Sequence, residues 1–246
     1  MSERSVILLR AAGPILGAAI LRLQYFDLKD SLRKEPRRML LLGFVLGGVA
    51  AALAAGVYDI LAQFGYSGPG DDSGAQLAHF VGVVGPIEEG AKFAVAWAVL
   101  FRTRWFDEPI DGLVYAAAVA IGFASLENAL YATHVNWPTQ IARAATTPLT
   151  HTVFSALWGF GAGQALLVEK APLRRALWIA LPLAAAAVTH GAYDSAIVTL
   201  QMPWLASLLV LAVWAFVIAH ARQVVKERVV LTGPLRGRRR KPEIRQ

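Results

Sequence analysis

Four short groups of ionisable residues stand inside otherwise apolar sequence, and their types are those of a hydrolytic centre. They are Glu88, Glu89 and Lys92 in one run, Glu127 with Asn128 in the next, then His151 with Ser155, then His190 with Asp194. Three of the pairs, Glu88 and Lys92, His151 and Ser155, His190 and Asp194, are four positions apart, which stacks each pair on one face of a helix. Hydrolysis of a peptide needs an activated water, a base to take its proton and stabilisation of the oxyanion. The chain has no cysteine, so thiolate chemistry is excluded, and Ser155 is a helical neighbour of His151 without a third partner in sequence. Two arrangements stay open. In one, Glu127, His151 and His190 hold a divalent metal such as zinc and Glu88 or Glu89 is the base. In the other no metal takes part: Glu88 activates water with help from Glu127 or His151, and His190 with Asp194 steadies the oxyanion. Lys92 sets the charge and orientation of the acidic pair in both.

The elements that must position these groups are membrane helices. Of 246 residues 56% are hydrophobic and only 17% charged, with a mean hydropathy of +0.48, a balance that belongs to the bilayer class. Apolar stretches at about 6–26, 38–64, 77–101, 111–132, 148–168, 176–198 and 203–224 are each near the ~20 residues a span requires. The fold expected is therefore an all-α bundle of about seven transmembrane helices. Pro86 inside the third stretch predicts a kink or break, whereas Pro109, Pro138, Pro148 and Pro172 read as loop residues. Loops rich and poor in Lys and Arg alternate, from the basic segment 27–38 to the uncharged-to-acidic 65–74 and onward, Arg143 being the sole basic residue after the fourth stretch. By the positive-inside rule the N-terminus is outside and the C-terminus cytoplasmic. At ~1.5 Å per residue, Glu127, His151, His190 and Glu88 all fall roughly 5–17 Å below the outer boundary, a common level for a buried site.

A membrane-embedded domain is expected over 1–228 and a basic cytoplasmic tail over 229–246. The net charge of +7 owes much to that tail, whose run beside a span reads as a contact with anionic lipid and not with nucleic acid. Buried ionisable groups would equally serve an ion- or proton-coupled transporter or receptor without proteolytic activity, which is the alternative from another class. His79, His134 and His220 lie apart from the four groups, and Gly159, Gly161 and Gly163 form a close-packing face in an apolar helix.

At these residues the chain resembles the PrsW family of intramembrane proteases, related in pattern to the CAAX prenyl proteases. The similar features are Glu88-Glu89-x-x-Lys92, Phe123-x-x-x-Glu127-Asn128, His151-x-x-x-Ser155 and His190-x-x-x-Asp194 in that order, with the opening segment from Gly13-Pro14-Ile15 to Glu35-Pro36. The resemblance implies regulated intramembrane proteolysis: cleavage of a membrane-anchored protein, such as an anti-sigma factor, near its extracytoplasmic side, in a bacterial plasma membrane. It carries both chemistries, since the family is called metalloprotease while the prenyl proteases look glutamate-dependent. Glu127 stands where the prenyl proteases carry His, and the outward level of the site argues against a cytoplasmic CAAX substrate.

Overall fold

A computed structural model describes residues 35–132 and 134–232, with side chains as far as His220. Among the described residues the chain is all helix: α1 Arg37–Gln63, α2 Ser73–His79, a π-helical turn Phe80–Val84, α3 Gly85–Ala98, a 3-10 turn Leu100–Arg102, α4 Pro109–Tyr131, α5 Trp137–Leu167, α6 Pro172–Val198 and α7 Pro203–Thr232. α1, α4, α6 and α7 (the last over Pro203–His220) are long and apolar enough to cross a membrane by length and composition. The expected stretches 77–101 and 148–168 also fall on helix, but one is divided by the π turn and carries Glu88, Glu89 and Lys92, and the other is diluted by polar residues that the site uses. The stretch 6–26, the opening segment of the resemblance before Glu35 and the tail beyond Thr232 lie outside the described residues.

The proline expectations meet different outcomes. At Pro86 the chain is not broken into separate half-helices, although the regular α-helix is interrupted just before it. The chain runs helically from Ser73 to Ala98, with the wider π turn Phe80–Val84 immediately before Gly85-Pro86 and Gly85 N donating to Phe80 O. Pro148 is not in a loop but inside α5, while Pro109, Pro138 and Pro172 occupy the first turns of α4, α5 and α6, where a missing N–H costs nothing. In consequence α5 begins eleven residues earlier than the apolar stretch 148–168, and Arg143 is a helix residue.

Neighbouring helices close a ring in the order α1, α4, α5, α6, α3 and back to α1, with α7 outside against α5 and α6. What lets these helices approach is glycine. A Cβ on Gly112 of α4 would stand 2.0 Å from Gly159 O of α5, and one on Gly163 2.1 Å from Pro109 O. The same device joins α3 to α6, where a Cβ on Gly85 would meet Ala187 O at 2.0 Å. In a membrane such small-residue faces replace the hydrophobic effect as the source of helix association, because close backbones gain dispersion and lipid tails do not compete. Tyr115 adds a polar tether, its hydroxyl donating to Glu35 just before α1. The core below the site is aromatic: Phe101, Phe106, Phe123, Phe154 and Trp158 are all buried.

Candidate active site

Inside the ring, α3, α4, α5 and α6 bring all seven expected residues to one cluster. Glu88, Glu89 and Lys92 share a face of α3, and Glu89 and Lys92 are completely buried. Glu89 is the most heavily bonded of them. Its Oε1 accepts from Lys92 Nζ at 2.8 Å and from His190 Nδ1 at 3.0 Å, and its Oε2 accepts from Ser155 Oγ and Trp158 Nε1, both at 2.8 Å. Four donors fill this carboxylate, which leaves it no lone pair to spend on a substrate proton. Ser155, noted in sequence as a neighbour of His151, belongs to this bonding set.

Glu88 is the contrast. Its Oε1 receives only the Tyr58 hydroxyl, 3.3 Å away on α1, and its Oε2 is buried with no hydrogen-bond donor. Facing that oxygen are His190 Nε2 and Lys92 Nζ, each at 3.7 Å. Because His190 commits Nδ1 to Glu89, its proton sits there when the ring is neutral and Nε2 presents a lone pair. Asp194, one turn along α6, stands 3.5 Å from the same Nε2.

His151 completes the group. Its Nδ1 is 2.7 Å from Lys92 Nζ, and since an ammonium only donates, that ring nitrogen accepts. Its Nε2, which carries the proton of the neutral ring, is 2.9 Å from Glu127 Oε2. The other oxygen of Glu127 takes Arg143 Nη2 at 2.7 Å. The Arg143 guanidinium lies 4.1 Å above the ring of Tyr131, Phe123 covers Lys92 at 4.0 Å and Phe154 stacks on His190. The side chains of Glu127, Arg143 and Asp194 are 19%, 25% and 26% exposed, against 0% for Glu89 and Lys92, so the cluster opens on the side of Glu127 and Asp194.

Such an arrangement can hold a cation. Glu88, His151 and His190 each offer one ligating atom, all within 4.8 Å of one another. Zinc bound at ~2.0–2.2 Å keeps tetrahedral ligands about 3.4 Å apart, close to the 3.7 Å between Glu88 Oε2 and His190 Nε2. Glu127 is adjacent to this trio through His151 and is not one of its three members.

Tyr58, Arg143 and Trp158, which donates to Glu89, went unseen in sequence. Tyr58 lies on α1, which carries none of the four motifs, and nothing local marks it. Arg143 reads as a loop charge when α5 is started at 148; the cap that starts the helix earlier, Asn136 accepting from Thr139 N at 3.0 Å with Pro138 beside it, was the available signal. The remaining histidines stay apart: His79 pairs with Tyr66 at 2.6 Å near a loop, His134 bonds back to Leu130 O at 3.1 Å and His220 packs against Phe216.

The profile of the PrsW family intramembrane metalloprotease matches residues 35–221. Among characterised sequences, the chain is 32% identical over 215 residues to "Protease PrsW" of Geobacillus kaustophilus, covering 87% of this chain and 90% of that protein. Against "Protease PrsW" of Bacillus subtilis it is 31% identical over 215 residues, 87% of this chain and 94% of the relative. The Clostridioides difficile "Protease PrsW" is 25% identical over 194 residues, 75% and 77% of the two chains. No solved structure matches the chain significantly.

Proposed function

This chain belongs to the PrsW family of intramembrane metalloproteases and is an integral membrane protease; on that premise we propose that it cuts a single-span membrane protein of the anti-sigma-factor kind near its extracytoplasmic side. The observation that carries the reading is the convergence of two carboxylates on two buried imidazoles: Glu88 Oε2 is buried without a hydrogen-bond donor, 3.7 Å from His190 Nε2, and Glu127 Oε2 is 2.9 Å from His151 Nε2. A buried carboxylate oxygen without a donor costs the desolvation of a polar group, and a cation held between Glu88 and the imidazoles would offset that cost.

Glu88, His151 and His190 are the residues that would hold a divalent metal, which when bound supplies Lewis-acid polarisation of the scissile carbonyl and of water. Relative to the first expectation, Glu88 and Glu127 exchange duties. Glu127 becomes the base, its Oε1 fixed by Arg143 and its Oε2 left to take the proton of the attacking water. His151 requires one adjustment to serve: with Lys92 donating to Nδ1, the neutral ring keeps its proton on Nε2, 2.9 Å from Glu127 Oε2, and that proton would have to be released to solvent at the open side for Nε2 to hold a cation, which leaves Glu127 unprotonated. Glu89 is a positioning residue that fixes the tautomer and plane of His190, the usual task of a carboxylate behind a ligating imidazole. Lys92 balances the two adjacent carboxylates, and Asp194, at the open side, holds the leaving amine or its proton.

In the membrane we propose seven spans, with the described helices supplying six and the stretch 6–26 the seventh, the N-terminus outside and the tail 229–246 in the cytoplasm. The alternation of basic and non-basic loops supports this, and so does the position of the site toward the α4–α5 end, where Arg143 is the sole basic residue. The domain 1–228 is then one catalytic unit.

The test is cleavage by full-length protein in lipid vesicles of a tagged single-span substrate, with product termini read by mass spectrometry. Glu88→Gln, Glu127→Gln and His190→Ala should each yield no product, and elemental analysis should find about one metal per wild-type chain and little in His190→Ala. Full activity in all three variants ends the proposal. Wild-type protein that stays active after the metal is stripped removes the metal from it.

A further inference from the structure

A hydrolase enclosed by hydrocarbon must draw its second substrate, water, from outside the membrane. Glu88, His151 and His190 are 8%, 4% and 3% exposed, so bulk solvent does not bathe them. Resting on the hydrolytic reading of this cluster, we propose that the α4–α5 junction is a water-binding relay in which Gln140, Asn128 and Arg143 hold ordered water and pass it to Glu127.

Three polar atoms of that junction are buried without a hydrogen-bond partner: Asn128 Oδ1, Gln140 Oε1 and Arg143 Nε. Asn128 is 0% and Gln140 2% exposed, so the two amide oxygens have no access to bulk solvent. They are consecutive members of one bonded chain. Gln140 Nε2 donates to Asn128 O at 3.0 Å, Asn128 Nδ2 to Arg143 O at 3.4 Å, and Arg143 Nη2 to Glu127 Oε1 at 2.7 Å. Glu127 Oε2 then reaches His151 Nε2 at 2.9 Å. At the other end, Trp137, Pro138 and Thr139 are exposed, one turn before Gln140. The chain therefore runs from the surface end of α5 to the catalytic cluster.

The complement of these atoms selects water over other occupants. Two acceptors and one donor need a molecule that both donates and accepts, and buried water makes two to four such bonds to otherwise unsatisfied groups. An anion would meet two carbonyl oxygens, and a cation would meet the guanidinium. An apolar side chain would leave all three atoms unsatisfied.

Gln140→Leu and Asn128→Leu, made in the full chain and assayed in vesicles, test the relay because leucine fills the space and removes the acceptor. Each should lower kcat 10- to 100-fold with KM for the substrate held within about twofold. Hydroxyl-radical footprinting supplies a readout independent of turnover. Phe123, 2% exposed and 5.3 Å from the His151 ring, should be labelled in the wild type through relay water and lose at least half of that labelling in both leucine variants. Glu88→Gln should keep the labelling while losing activity. Wild-type kcat in the leucine variants, a rise in KM with kcat unchanged, or undiminished labelling of Phe123 each overturns the relay. An active Glu88→Gln overturns instead the hydrolytic reading beneath it, and the footprint still reports on the water.

Discussion

Replacing Glu89 by glutamine should loosen the whole bundle, while the same change at Glu88 should leave its stability nearly untouched and remove its activity. Glutamine keeps the shape of the side chain but offers one accepting oxygen in place of two. At position 89 both oxygens are occupied, one by Lys92 and His190 and the other by Ser155 and Trp158. Whichever way the amide turns, its NH2 confronts two donors. The Lys92 ammonium, 0% exposed, also loses its nearest counter-charge. Breaking a buried pair from one side costs about 3–5 kcal/mol, and stranded neutral donors add ~1–3 kcal/mol that overlap with it. A total near 4 kcal/mol is about a thousandfold in the unfolding equilibrium and a large part of the ~5–15 kcal/mol that holds an ordinary domain. Glu88 gives up one long bond from Tyr58 at 3.3 Å and an ion pair at 3.7 Å to a lysine that keeps Glu89, so its loss should stay within about 1 kcal/mol. Unfolding in mixed micelles titrated with dodecyl sulfate, followed by circular dichroism, measures both. Equal midpoints for the two variants, or a less stable Glu88→Gln, would refute the division of labour between the neighbouring glutamates.

Two further outcomes follow from the packing and from the charge pattern. Gly112→Ala should lower stability by about 1–3 kcal/mol, since the added Cβ stands 2.0 Å from Gly159 O and forces α4 from α5; Gly56→Ala, where the Cβ meets nothing within 4 Å, should be neutral or slightly stabilising, and thermal unfolding of the pair in detergent decides. Because the chain has no cysteine of its own, single cysteines report sidedness directly. A membrane-impermeant maleimide added to intact cells should label Ser67→Cys and reach Lys170→Cys only after permeabilisation, and the reverse order would invert the proposed orientation.

The helices and the list of reactive groups were legible in the residues because both depend on local rules. An apolar run must become helix when no water is present to bond its backbone, and a spacing of four places two side chains on one face wherever the helix ends up. Glycines 159, 161 and 163 could be read as a contact face for the same reason. The assignment of tasks among those groups is not local. Glu88 and Glu89 are adjacent and identical, yet one is filled by donors from α3, α5 and α6, two of them 66 and 69 positions away, and the other is left with a bare oxygen. Arg143 becomes part of the site only because α5 starts at Trp137 and α4 ends where Glu127 can meet it. Tyr58 enters from a helix with no motif at all. Hydrogen-bond saturation depends on which helices share a wall of the ring, and that is set by where glycines let backbones touch, so the chemistry of each carboxylate was decided by the tertiary structure.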